Sequence, residues 1–363
     1  MAQQHPASIR VPAATLDAFV AAIFRAAGCD EAEASRISSH LLGANLAGHD
    51  SHGVARVPRY VEWLEAGYVL KGQNAELVTD GGAFALLDGK FGFGQTVAPQ
   101  AVALGIERAT RHGIAVVGLR NAGHIGRVGE YAETAIRAGL VSVHFVNVAG
   151  SVLVAPFGGT ERRFSTAPFS VGVPLPGRPL VLDFATSHVA EGKVLVASNG
   201  GKPLPKDALI EPDGRLSGDP RTLYGQYEGT GPRNPSGGAG AIRAFGEHKG
   251  SGLAFMCEML AGALTGGGTS GPVDTRSRIA NGMLSFYISP GHFGTEAEFH
   301  ATGRAYADWV LSCRPAEADQ PVLAPGDKEA AMRADRLAGG VPLQPHTWAG
   351  IRQTASRLGV PEP

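Results

Sequence analysis

Between residues 83 and 147 the chain repeats one pattern, a short apolar run, an amphipathic stretch and then another apolar run. "AFALLDG" opens it, and "VAPQAVALGIERATRHG", with apolar residues at helical spacing, delivers the chain into "IAVVGLR". "GEYAETAIRAG" then leads to "VSVHFVN". Apolar runs of this kind need cover on both faces, so strands alternating with helices at this spacing demand a sheet covered by helices. Further strands are expected at "FSVGVP", "LVLDF" and "MLSFYIS". The reading is an α/β protein with a mixed sheet.

Both ends of the chain read as helical. "VPAATLDAFVAAIFRAAG" has Pro12 near its start, Leu16, Phe19, Val20, Ile23 and Phe24 at helical spacing, and Gly28 where a helix would stop. Asp30 and Glu33 then have the spacing of a capping box, and Ile37, Leu41, Leu42 and Leu46 make a buried stripe. A third, short helix is expected in "VARVPRYVEWLEAG", with Pro58 in its first turns, another in "EHKGSGLAFMCEMLAGALTGGG", and more from about residue 296. The expected division is a helical domain from residues 1–75 with 296–363, and a mixed-sheet domain from 76–295 that binds cofactor and substrate. Residues 200–246, rich in Gly and Pro with little periodicity, read as an extended excursion or lid.

Composition excludes several function classes. At 363 residues, 44% hydrophobic and 18% charged, the chain can fill the cores of about two domains. Its 32 basic and 33 acidic residues give a net charge of -1, which leaves no basic excess for nucleic acid. Cys29, Cys257 and Cys313 are odd in number and far apart, so they build neither a disulfide framework nor a thiolate metal cluster. The start, "MAQQHPASIR", lacks the apolar core of a signal peptide, and no run reaches the roughly 18 apolar residues of a membrane span. The expectation is a cytoplasmic protein away from the membrane.

A dinucleotide enzyme usually carries G-x-G-x-x-G between a strand and a helix, and this chain has none. Two glycine-rich turns offer other seats for phosphate at a helix start. One is "NAGHIGRVG", with Gly123, Gly126, Gly129 and Arg127; the other is "HKGSG", with Lys249, Gly250 and Gly252. Spacing alone favours a plain glycine turn at each. Chemistry concentrates in "GHDSHGVAR", residues 48–56. Arg56 stands one helical turn from His52, so a guanidinium would grip a carboxylate where an imidazole moves a proton. His124, among glycines at a strand-to-helix loop, is a second candidate. Two other readings stay open on these residues alone. Asp50 and Ser51 would cap the third helix, or His49 and His52, at i and i+3, would hold the metal of a hydrolase.

Taken in order, "GHDSHGVARVPRYV", "GHIGRVGEYAE", "VAPFGG", "LDFATSHVAEGK", "HKGSGLAFMCEMLAGALTGG" and "LAPGDKE" resemble the malate/L-lactate dehydrogenase type 2 family across about residues 12–360. The resemblance implies a non-Rossmann nicotinamide-binding fold, homodimers, no metal, and hydride exchange between NAD, with NADP as the alternative, and a 2-oxo or 2-hydroxy acid. Family members also include ureidoglycolate and sulfolactate dehydrogenases and an NADPH-dependent reductase of cyclic imino acids. Ser51 and His52 match a pair near the nicotinamide and substrate, Arg56 a carboxylate-holding residue, and His124 an acid/base. Gly126, Arg127, Val128, Val181, Leu182, Asp183, Phe184, Ala185, His248, Asn281, Gly326, Asp327, Lys328 and Glu329 match positions lining the dinucleotide. Asp183, at a strand end, would bond ribose hydroxyls and repel a 2'-phosphate, whereas Arg127 argues the other way. The chain departs from the family pattern at Ala167, Ser251 and Lys328.

Overall fold

The computed structural model describes residues 9–229, 233–272 and 280–363. Strand β1 (Ile9–Val11) precedes helices α1 (Ala13–Ala26) and α2 (Glu31–Leu46). Asp30 starts α2 as its residue type dictates, its Oδ1 accepting from the Glu33 N–H at 2.7 Å. Glu33 does not complete the box. Its buried carboxylate accepts from Gly72 N–H (2.9 Å) and Thr96 Oγ1 (3.2 Å), tying α2 to later chain. Two single 3-10 turns, Asp50–His52 and Val54–Arg56, lead into α3 (Val57–Glu65), with Pro58 in its first turn. Neither Asp50 nor Ser51 caps that helix, because the turns intervene and Arg56 is the residue at its N-cap position.

Next come β2 (Glu76–Asp80), β3 (Phe84–Asp88), α4 (Gly94–His112), β4 (Ile114–Ala122), α5 (Gly129–Arg137), β5 (Val141–Ala149), β6 (Pro168–Val173) and β7 (Leu180–Ala185). After α6 (Glu191–Ser198) the chain makes β8 (Leu209–Ile210), β9 (Leu216–Ser217), α7 (Arg221–Tyr224) and β10 (Ala241–Ile242). Helix α8 (His248–Cys257) continues into a π-helical turn, Glu258–Ala263, and β11 (Ala280–Ile288) follows. The chain closes with α9 (Glu296–Leu311), α10 (Asp327–Gly339), β12 (Val341–Leu343) and α11 (Pro345–Arg357).

The main sheet has seven strands in the order β2-β3-β4-β11-β5-β6-β7. Only β3 and β4 pair in parallel; every other neighbouring pair is antiparallel. This mixed sheet differs from the parallel sheet of a doubly wound dinucleotide fold. The expected strands are present as β3 to β7 and β11.

Among the described residues, three apolar cores form. The first joins Leu16, Ile23, Ile37, Leu41 and Val61 of the N-terminal helices to Val341, Leu343, Ile351 and Ala355 of the C-terminal segment. The second lies between the sheet and helices α4 and α5, around Val97, Val102, Leu119, Ile125 and Tyr287. The third gathers Val154, Leu209, Leu223, Tyr224, Ile242 and Ala254. Residues 200–246 contribute Ala208, Leu209, Leu223, Tyr224, Ile242 and Ala244 to this third core, while other described stretches of the segment, such as 212–216, are exposed. Their two-residue strands are too short to show periodicity, and Arg162 pins the loops through the carbonyls of Gly240 (2.7 Å), Gly238 (2.7 Å) and Leu223 (3.1 Å). Helix α9 takes a different place from β12 and α11. Its Arg304 donates to Pro176 O (2.8 Å), so it sits on the β6–β7 connection. Among the described residues no helix is long and apolar enough to cross a membrane.

Candidate active site

The 48–56 motif is a tight corner held from behind. Asn45, buried in the last turn of α2, accepts from Val54 N–H (2.8 Å) and donates to Asp50 Oδ1 (2.7 Å). A side chain at Gly53 would lie 2.2 Å from Asn45 Oδ1, so the chain passes only as glycine. The Asp50 carboxylate pairs with Arg336 of α10 at 2.5 and 3.0 Å. Asp50 is thus structural, as is His49, whose Nε2 lies 3.4 Å from Glu329 Oε1. With those two turned away, Ser51, His52 and Arg56 share the other side. Ser51 Oγ lies 3.1 Å from His52 Nδ1, and Arg56 Nε donates to Ser51 O at 2.6 Å.

His124 arrives from the loop between β4 and α5. Side chains from several elements fix that loop's backbone. Asn281 of β11 accepts from Ile125 N–H (2.9 Å) and donates to Asn147 O (2.7 Å). Tyr131 OH donates to Ile125 O (2.6 Å). His40 Nε2 accepts from Arg127 N–H (3.1 Å), while its Nδ1 faces Glu130 Oε2 at 3.1 Å. Gly126 adopts φ 74°, and a side chain there would strike the His40 ring at 2.3 Å. So held, the His124 ring stacks on His52, centroids 5.6 Å apart and planes 15° from parallel. Tyr60 of α3 places its hydroxyl 2.5 Å from His124 Nδ1, and Gln95 of α4 donates to His124 O at 3.0 Å.

Electrostatics make this pair neutral. Loss of hydration and then the nearby Arg56 guanidinium bring His52 down to about 3 and hold His124 well below the usual imidazole range. The corner is therefore two uncharged imidazoles beside a cation, a setting that attracts an anion such as a carboxylate.

A second polar corner adjoins the first through residues 126–129. The Arg127 side chain is buried, with Nη1 2.7 Å from Glu133 Oε1 and Nε 3.4 Å from Asp183 Oδ2 of β7. Its Nε and Nη2 have no hydrogen-bond partner, so donor capacity is left over for a ligand. Asp183 accepts from Gly129 N–H at the start of α5 (2.9 Å), and burial keeps its carboxyl above the ordinary range. Glu329 and His49 act on the same carboxylate, which brings α10 to this corner. Val181 N–H donates to Pro325 O (3.1 Å), setting Gly326, the N-cap of α10, beside the start of β7.

Not every residue matched from the sequence joins these corners. Asn281 spends its amide on backbone and holds the His124 loop. His248 is exposed at the start of α8 with its ring edge-on to Phe157 (5.9 Å). Lys328 is exposed, and Asp327 is engaged with Ala324 N–H (2.8 Å) and Arg178 (3.3 Å). Val128 is buried as the N-cap of α5. Leu182, Phe184 and Ala185 lie along β7, with Phe184 packed on Phe169 and Phe245. Ser251 accepts from Phe157 N–H (2.9 Å), and Ala167 takes a left-handed backbone at φ 28°. The sequence reading missed Tyr60, Gln95 and His40. His40, a polar residue one position from Leu41 in the α2 stripe, is the one that left a signal. As for a metal, no group of three His, Cys, Asp or Glu among the described residues is arranged to hold one, since His49 turns to Glu329 and His52 to Ser51.

The family model for malate/L-lactate dehydrogenase matches residues 11–352. The chain is 42% identical over 357 residues to hydroxycarboxylate dehydrogenase B of Escherichia coli (strain K12), covering 97% of this chain and 95% of that one. It is 35% identical to L-lactate dehydrogenase of Cupriavidus necator, covering 91% and 92%. The solved malate dehydrogenase of Pyrococcus horikoshii OT3 superposes with a TM-score of 0.85 at 27% identity, covering 100% of both chains. The chain belongs to the malate/L-lactate dehydrogenase family.

Proposed function

We propose that the protein is an NAD-dependent 2-hydroxycarboxylate dehydrogenase, working in the cytoplasm as a homodimer and reducing 2-oxo acids to 2-hydroxy acids or the reverse. The observation that carries this reading is the stacked, neutral His52–His124 pair beside the Arg56 guanidinium. A nicotinamide dinucleotide, when bound, supplies or accepts the hydride. The Arg127–Asp183 corner suits such a ligand, because it combines unfilled buried donors with a carboxylate. Gly126, Arg127, Val128, the β7 residues Val181 to Ala185, and Gly326 to Glu329 would hold it, with His248 and Asn281 at the margin. Asp183 favours NAD, since the 2'-phosphate of NADP would meet a buried acid, and Arg127 is already matched by Glu133 and Asp183.

The protein's own groups do the rest. Arg56 commits its Nε to Ser51 O, leaving its two Nη groups as a fork for the substrate carboxylate. That contact fixes the rotation of the acid and sets its C2 oxygen towards the imidazoles. His124 gives a proton to that oxygen in reduction and takes it back in oxidation. His52, oriented by Ser51, shields the other face of His124 from water. The dimer reading is supported by the end of α8 and its π-helical continuation, where Phe255, Met256, Met259 and then Leu264 are 52%, 48%, 46% and 67% exposed. We also take residues 1–75 with 296–363 as a helical domain set against the mixed-sheet domain, with α9 as its outlying member.

The test is a spectrophotometric panel of NADH and NADPH against pyruvate, oxaloacetate, phenylpyruvate, 4-hydroxyphenylpyruvate and a cyclic imino acid. NADH oxidation with at least one oxo acid is expected. Oxidation with the imino acid alone would replace this reading with an imino acid reductase, and none with any compound would remove it.

A further inference from the structure

Tyr60 has a placement that its role in the core does not require. Its ring packs beside Phe24 and Phe93 within the first apolar core, yet its hydroxyl lies within hydrogen-bond distance of His124 Nδ1. The hydrogen positions follow from Gln95. His124 O only accepts, so the Gln95 amide must present its NH2 group there (3.0 Å), and the same group then reaches the Tyr60 oxygen at 3.3 Å. The Tyr60 hydroxyl has two acceptors in reach, His124 Nδ1 at 2.5 Å and His124 O at 3.5 Å, and the shorter contact is taken as the target of its hydrogen. On that assignment the imidazole carries its hydrogen on Nε2.

A neutral imidazole that gives up its Nε2 hydrogen unaided becomes an imidazolate, which nothing here stabilises. The charged alternative is also opposed, because burial and Arg56 hold His124 far below the usual range. We infer that Tyr60 is the positioning residue and proton source behind His124, passing its hydroxyl proton to Nδ1 as the Nε2 proton passes to the substrate oxygen. This rests on the dehydrogenase reading above. In reduction, C2 gains a hydride from the reduced nicotinamide, and the carbonyl π pair moves onto oxygen. That oxygen takes the Nε2 proton, Nδ1 takes the Tyr60 proton, and the imidazole ends neutral with its hydrogen on Nδ1. Tyr60 is left as a phenolate, held by the Gln95 N–H and the Arg56 charge, until water returns the proton. Burial lifts the Tyr60 hydroxyl to about 12 from its ordinary 10, while the Arg56 charge and the Gln95 N–H act the other way.

Tyr60→Phe keeps the ring packing and removes only the hydroxyl, with thermal unfolding as the check on the fold. In the unliganded wild type, 15N NMR of labelled histidine is expected to show His124 protonated at Nε2, and Tyr60→Phe is expected to give mixed tautomers. With the best 2-oxo acid, wild-type reduction in H2O/D2O mixtures is expected to show two protons in flight and the variant one. The variant's kcat should fall about 10²-fold, the scale of one proton-transfer group, with KM and NADH affinity held. Gln95→Leu should lose less than Tyr60→Phe. A wild-type enzyme with His124 protonated at Nδ1, or a Tyr60→Phe variant with unchanged tautomer and kcat, overturns the relay and leaves the dehydrogenase standing. No turnover on any acid overturns both.

Discussion

His52 and His124 come from segments of opposite character, one a polar corner between helices and the other a glycine loop at a strand end. Their stacking makes both expendable only at a cost to turnover. His124→Asn and His52→Ala are each expected to lower kcat by about 10² to 10⁴, with NADH affinity by fluorescence titration close to wild type; normal turnover in both would remove the assignment. Arg56→Lys keeps the charge and loses the fork, so KM for the oxo acid is expected to rise about ten- to a hundredfold while kcat changes less. At this scale much of the site is legible from sequence, because Ser51, His52 and Arg56 stand within six positions. Tyr60 and Gln95 are not, since a tyrosine on the buried side of a short helix looks like core until its hydroxyl finds a partner. Asn281, matched to the dinucleotide in the sequence, also braces the His124 loop, which only its pairing with Ile125 and Asn147 reveals.

The long elements announced themselves, and the short ones did not. Strands β4 and β5 show as apolar runs and α1 and α2 as stripes, whereas β8, β9 and β10 have two residues each, too few for any period to show. Strand β5 also carries a titratable group into the dry interior. His144 is fully buried between Ser285 Oγ (2.8 Å) and Ser142 Oγ (3.0 Å), and burial brings it down to about 3 from 6.5. Because its folded value is depressed, the unfolded chain binds more protons between those limits, and stability falls as pH drops from about 6.5 towards 3. His144→Gln, which cannot titrate, is expected to show a shallower loss of Tm between pH 7 and pH 5 than the wild type. Parallel Tm-against-pH lines for the two would count against it.

For the whole molecule, sequence gave the alternation and the helical ends but not the assembly of the sheet. Residues 280–288 read as one more strand, and nothing in them says that they belong between β4 and β5, because strand order depends on partners remote in the chain. The face proposed for the dimer is not marked in the sequence either, where Phe255, Met256 and Met259 look like ordinary helix interior. Met259→Asp and Leu264→Asp are expected to shift the protein from dimer to monomer in light scattering, with activity falling alongside; monomeric wild-type protein would remove the dimer. The central place of β11 also orders events during synthesis. A nascent chain on the ribosome makes β4 and β5 long before the strand that separates them, so the half-made sheet has an open slot at its middle and bare edges on both sides of it. The His124 loop waits on the same strand for Asn281. Premature termination before residue 280 would therefore release a product with exposed strand edges and no organised active site, a substrate for chaperones and proteases instead of a weaker enzyme.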